Sequence, residues 1–106
     1  MSTKTTIAII GGTGALGSGL AARWAKAGHT VIMGSRDGDR AAHSAGELST
    51  SIGANISGME NADAAAAGEI VVMTVPFSNH QSTLELIQPH IENKILVDVT
   101  VPLMPP

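Results

Sequence analysis

Apolar residues follow two alternating rhythms along the chain. Short continuous runs end near Ile10 (Thr5–Ile10), at Thr30-Val31-Ile32-Met33, at Ile70-Val71-Val72-Met73-Thr74 and at Ile95-Leu96-Val97-Asp98-Val99. Runs of this length, rich in β-branched residues, predict strands buried on both faces. Between them the apolar positions recur at helical spacing. Leu16, Leu20 and Trp24 form an i,i+4 stripe over Ala15 to Ala27, Gly17 and Ala21 offer small surfaces where the helix can sit close to the sheet, and Gly28 supplies a stop. Asp37 or Asp39 is placed to cap a second helix reaching about Leu48, with Ala41, Ala42, Ala45 and Leu48 as its apolar positions and Ser49-Thr50-Ser51 as a loop. Asn55-Ile56-Ser57 reads as a weak strand. Asn61 is expected to cap a short alanine helix, Ala62 to Ala67, closed by Gly68. Pro76 cannot continue a central strand, so the fourth strand ends before it. Ser78 or Asn79 then caps a helix to about Gln88, with Leu84, Ile87 and Ile91 on one stripe and Pro89 weakening its last turn.

Strand and helix therefore alternate throughout. Such a pattern predicts an α/β fold, a doubly wound parallel sheet of about five strands with helices on both faces. The 106 residues make one domain, 1–106, with no linker or repeat inside it. A hydrophobic fraction of 43% excludes a disordered chain, and a net charge of −3 argues against a nucleic-acid surface. Cysteine is absent, which excludes disulfides and thiolate chemistry and is compatible with a reducing cytoplasm. The polar start, Met1 to Thr6, leads into a run too short for a signal peptide or a membrane span. A cytoplasmic protein with no membrane partner is expected. Thr100 to Pro106 has no pattern of its own, and Val101 to Pro106 is apolar with nothing after it to pack on. The chain reads as the front part of something longer, or as a minimal domain that forms a homodimer.

Chemistry enters at the end of the first strand. Gly12, Gly14 and Gly17 match the spacing G-x-G-x-x-G between a strand and a helix, inside a βαβ unit. In a Rossmann-type domain these glycines allow a tight turn, close approach of a pyrophosphate, and close helix–strand packing. The helix opening at Ala15 and Leu16 would aim unpaired N–H groups and its positive end at the phosphates. Thr13 either lends its hydroxyl to a phosphate or is simply tolerated in the turn.

Which dinucleotide is decided about twenty residues further on, where an NAD site needs a carboxylate for the ribose 2′-hydroxyl. The second strand ends instead in Gly34-Ser35-Arg36, with Arg40 one helical turn later. Ser35, Arg36 and Arg40 suit a 2′-phosphate, and a charge-assisted hydrogen bond contributes ~1.5–3 kcal/mol net. Read alone, the two arginines are ordinary surface residues; at this distance from the glycine motif they predict NADP. Asp37 and Asp39 temper the local positive field.

Val75-Pro76-Phe77-Ser78-Asn79-His80 leaves the carboxyl end of the fourth strand, the edge that faces the ligand crevice in open α/β sheets. Val75 and Phe77 can wall a nicotinamide, and Asn79 and His80 can reach a ribose or substrate. His80 is otherwise a solvated first-turn histidine. Asp98 and Thr100 end the fifth strand at the same edge, Asp98 with no evident partner. His29, His43 and His90 are scattered, which argues against a metal site. No Ser/His/Asp triad and no tyrosine are present, so the usual general acid of carbonyl reductases is missing and no catalytic residue is assigned. Trp24 and the methionines read as core.

Six segments together resemble the N-terminal domain of coenzyme F420-dependent NADP oxidoreductases. They are Ile9 to Gly17, Lys26-Ala27-Gly28-His29, Gly34-Ser35-Arg36-Asp37, Ile56-Ser57-Gly58-Met59, Thr74-Val75-Pro76-Phe77 and Val99-Thr100-Val101-Pro102-Leu103. The resemblance implies direct hydride transfer between NADP(H) and the deazaflavin F420, with no protein acid or base. It implies that Thr13 to Leu16 hold the pyrophosphate, that Ser35, Arg36 and Arg40 hold the 2′-phosphate, and that Val75 and Val101 lie near the nicotinamide. It puts Pro76 and Asn79 in the cofactor site, Asn79 standing where some members carry a histidine. Family members also carry a second, largely helical domain that completes the F420 pocket and the dimer.

Two other functions fit the residues. Gly-Gly-Thr-Gly-x-Leu-Gly is also similar to atypical short-chain-dehydrogenase-like regulators, which bind NADP without catalysis; Thr74 to Phe77 favours the reductase group. An NADP-dependent reductase with a different acceptor is the other.

Overall fold

The computed structural model describes residues 5–11, 14–75 and 80–99. Five strands, β1 (Thr6–Ile10), β2 (Thr30–Ser35), β3 (Ile56–Glu60), β4 (Ile70–Met73) and β5 (Ile95–Asp98), form one sheet in the order β3-β2-β1-β4-β5. All four pairings are parallel. Helices α1 (Ala15–Lys26), α2 (Gly38–Ile52), α3 (Asn61–Ala67) and α4 (His80–Ile87) make the crossovers. The doubly wound sheet expected from the alternating pattern is what the chain forms.

The alternation of β1 divides the core in two. Ile7 and Ile9 point to one face and pack with Ala21 and Ala25 of α1 and Ala45 of α2. Ala8 and Ile10 point to the other face and pack with Ala64 and Ala65 of α3 and Ile87 of α4. Val31 and Met33 join the first cluster and Ile32 the second, as a period of two requires. Met33 and Met73 are core as expected, and Trp24 is packed against it, half-buried.

Four local expectations are corrected. In α1 the buried positions are Gly17, Ala21 and Ala25, while Leu20 and Trp24 flank them and Leu16 stays 40% exposed. Small residues win the inner face because they let the helix sit close to the sheet. Second, α2 runs through Ser49-Thr50-Ser51 to Ile52. The Ser49 hydroxyl donates to Ile56 O (3.1 Å) and accepts from Ile56 N–H (2.8 Å), and Gly53, at φ 69°, ends the helix. Third, β3 extends to Glu60; it is an edge strand and mostly polar, so apolar patterning underreports it. Its Gly58 lies so close to the Ala41 carbonyl of α2 that a Cβ there would overlap it. Fourth, Asn61 lies within α3 and its side chain does not cap the helix.

The two sheet edges differ. At β5 every residue is exposed, including Ile95 at 62%, Leu96 and Val97. At the amino end of the sheet, Lys94 Nζ donates to Ala65 O (2.7 Å) and Ala66 O (2.6 Å), placing a cation at the end of α3. Among the described residues no helix is long and apolar enough to cross a membrane.

Candidate cofactor site

The strand order reverses at β1 and β4, and a crevice between their carboxyl ends is where α/β sheets of this type take ligands. The loop after β1 begins there. Gly11 has φ 76°, a left-handed conformation that glycine adopts without strain. The positive-φ turn residue thus stands just before the G-x-G-x-x-G motif. Gly14 N–H donates back to Gly11 O (3.3 Å), which closes the turn.

Gly11 is fixed from two further directions. Its N–H donates to Asn61 Oδ1 of α3 (3.2 Å). Its carbonyl, together with that of Ile10, accepts from the hydroxyl of Thr74 (3.3 and 3.0 Å). Val75 is buried with Thr74 and leans on the same residue: a Cβ on Gly11 would lie 2.8 Å from Val75 Cγ1.

Helix α1 starts beyond this turn. Gly14 is its N-cap, with no side-chain capping bond and no acidic residue in the first turn. The first-turn N–H groups therefore have no local acceptor of that kind, and the positive helix end is not offset. Among the described residues, a Cβ on Gly14 would meet nothing closer than Gly11 O at 3.8 Å. Ala15 opens the helix, Leu16 is exposed beside it, and Gly17 is buried against the sheet. These observations fit a bound pyrophosphate.

One strand away, β2 ends at Ser35. Asp37, not Asp39, caps α2: its Oδ1 accepts from Asp39 N–H (3.0 Å) and Arg40 N–H (3.2 Å). Ser35 Oγ accepts from Asp37 N–H (3.4 Å), which leaves its hydroxyl proton to donate elsewhere. Arg36 and Arg40 are exposed, and among the described residues neither pairs with a carboxylate. Asp37 is held in the cap, which leaves the Ser35 hydroxyl and the two exposed guanidinium groups at this end of the sheet.

The family model described as NADP oxidoreductase, coenzyme F420-dependent, matches residues 6–102. The chain belongs to that family. An F420-dependent NADP reductase from Methanothermobacter thermautotrophicus is 44% identical over 100 residues, covering 92% of this chain and 43% of the relative. The crystal structure of a candidate F420-dependent NADP reductase from Arthrobacter sp. FB24 is 29% identical, with a TM-score of 0.74 over 91% of this chain and 44% of that one. A lactate dehydrogenase from Cryptosporidium parvum, bound to lactic acid and nicotinamide adenine dinucleotide, shares the fold alone. It is 20% identical, with a TM-score of 0.75 over 94% of this chain and 38% of that one. The chain spans less than half the length of the curated F420-dependent relatives it matches.

In this member of the F420-dependent family, the expected cofactor residues Gly14, Ala15, Leu16, Gly17, Ser35, Arg36, Arg40 and Val75 lie on or beside the carboxyl edge of one sheet. Gly12, Thr13, Pro76, Phe77, Ser78, Asn79, Thr100 and Val101 lie outside the described residues. The side chain of Val75 is buried against Gly11, so it braces the turn.

Two features were not anticipated. His80 Nε2 lies 2.6 Å from Asp98 Oδ2, so His80 is not a merely solvated residue and Asp98 has a partner. Glu60 stands opposite Ser35 in register and its Cγ lies beneath Gly38, bringing a carboxylate near the start of α2. A strand continued to Glu60 was the signal that would have found it. Among the described residues no three His, Asp or Glu side chains gather as metal ligands, and His43 pairs with Glu47 at an exposed site (3.5 Å).

Proposed function

We propose that this chain is the NADP-binding domain of an enzyme that moves hydride between NADP(H) and coenzyme F420. The observation that carries the NADP reading is the end of β2, which closes on Ser35 and is followed by the exposed Arg36 and Arg40, where β2 itself supplies no carboxylate and the nearest acidic neighbour in register is Glu60 of β3. The acceptor reading is supported by family membership and by relatives named F420-dependent NADP reductase.

Bound in this crevice, NADP(H) supplies hydride exchange at its nicotinamide ring. The protein's part is binding and orientation. Gly12, Thr13 and Gly14, the N–H groups of Ala15 and Leu16 and the close-packing Gly17 would hold the pyrophosphate. Ser35 donates to the 2′-phosphate while Arg36 and Arg40 neutralise it. Val75, Pro76, Asn79 and Val101 border the nicotinamide half. No side chain is assigned to move a proton, and no catalytic residue is needed for this part.

The relatives are more than twice as long as the matched region, and we assign residues 1–106 as one domain acting with a further, acceptor-binding part. The exposed apolar β5 supports assembly as a homodimer, and the cysteine-free composition supports a cytoplasmic setting. Fluorescence titration of the chain with NADPH and NADH tests the first step, and preference for NADPH is the expected result. Equal affinity refutes the 2′-phosphate reading. F420 reduction followed by absorbance tests the acceptor.

A further inference from the structure

Asn61 has a place in this site that its position in α3 does not assign. It is 3% exposed and opens α3, yet its side chain makes no capping bond there. Its Oδ1 crosses instead to the turn after β1 and accepts from Gly11 N–H at 3.2 Å. The space it occupies exists because residue 34 is glycine. A Cβ on Gly34 would lie 2.7 Å from Asn61 Oδ1 and 3.1 Å from Ala64 Cβ. Gly34 immediately precedes Ser35, and Gly11 immediately precedes the glycine motif, so one buried amide touches the roots of both halves of the site.

The chemistry of that amide is informative. A carboxylate would accept from Gly11 N–H at least as well as an amide. In the first turn of a helix a negative charge is also favoured over a neutral group. Support of the backbone alone would thus be served by aspartate. A carboxylate here, however, would stand behind the turn on whose far side a dianionic pyrophosphate is to bind, and its repulsion would act across a partly desolvated gap.

We infer that Asn61 is a positioning residue of the dinucleotide site, seating Gly11 through a neutral acceptor so that no negative charge opposes the pyrophosphate. This rests on the NADP reading given above.

The test uses the full chain with Asn61→Asp, Asn61→Ala, Gly34→Ala and the double variant Gly34→Ala/Asn61→Ala. Thermal melting reports support of the backbone, and titrations with NADPH and with NADH report the site. Asn61→Asp should melt closer to wild type than Asn61→Ala. It should nevertheless bind both dinucleotides more weakly than Asn61→Ala does, about tenfold or more below wild type. The ratio of NADPH to NADH affinity should be kept, because the charge acts on the part the two share. If binding follows the order of melting, the role is structural only and the inference is overturned. A changed ratio overturns it as well. Should Asn61→Asp fail to fold, Gly34→Ala decides: it should weaken both dinucleotides by displacing the amide, and the double variant, in which the added methyl still meets Ala64 Cβ, should lose less affinity than the two single losses combined. Additive losses overturn the inference. If wild type binds neither dinucleotide, the NADP reading fails and takes this inference with it; if wild type binds and the variants match it, this inference fails alone.

Discussion

His80 Nε2 and Asp98 Oδ2 meet at 2.6 Å, joining the first residue of α4 to the last residue of β5. The bond ties the start of α4 to the carboxyl end of the edge strand β5. The side chains keep 27% and 43% of their surface exposed, so water screens the pair.

That exposure sets its magnitude. A double-mutant cycle of His80→Ala and Asp98→Ala, read by chemical denaturation at neutral pH, should give a coupling energy of about 0.5–1 kcal/mol.

Selectivity for NADP is expected to reside in the guanidinium groups beyond β2. Arg36→Ala should weaken NADPH by roughly tenfold to a hundredfold, from the loss of about 1.5–3 kcal/mol, and leave NADH within about twofold. Arg40→Ala should act in the same direction. A loss shared equally by the two cofactors in titration would place Arg36 elsewhere than at the 2′-phosphate.

The glycines separate into two kinds. Gly58 faces the Ala41 carbonyl with no room for a methyl group, whereas Gly46, exposed in the middle of α2, has nothing within 4 Å of a built Cβ. Gly58→Ala should destabilise by about 1–3 kcal/mol through forced separation of α2 from β3. Gly46→Ala should stabilise by about 0.5–1 kcal/mol through helix propensity. Denaturation midpoints of the two variants, moving in opposite directions, check both.

Self-association should run through β5. Ile95 and Val97 lie on one side of that strand and both are exposed. Sedimentation at increasing concentration should show association of the wild-type chain, reduced in Ile95→Lys/Val97→Lys. A monomer at all concentrations would argue against the homodimer.

The order and type of the elements were legible from apolar rhythm alone, because each strand near the centre of this sheet is buried on both faces. Ser35, Arg36 and Arg40 were legible because the βαβ unit fixes their distance from the glycine turn. What escaped depends on contacts between distant segments. The Ser49 hydroxyl holds Ile56, and α2 runs through the three residues of the expected loop to Ile52. Asn61 has the composition of a cap but spends its acceptor fifty positions away on Gly11. His80 and Asp98 meet because β5 lies beside β4, a neighbourhood set by the crossover and invisible to local pattern.

The crowding at Gly34 carries a consequence for redesign of the coenzyme preference. With the amide of Asn61 filling the volume a side chain would need, any side chain at position 34 would displace that amide and unseat Gly11. Any conversion of the chain toward the non-phosphorylated coenzyme must therefore be written at Ser35 and Arg36. An acidic replacement there would also meet Glu60 across the strand pair, so an engineered switch has to relieve that second carboxylate too.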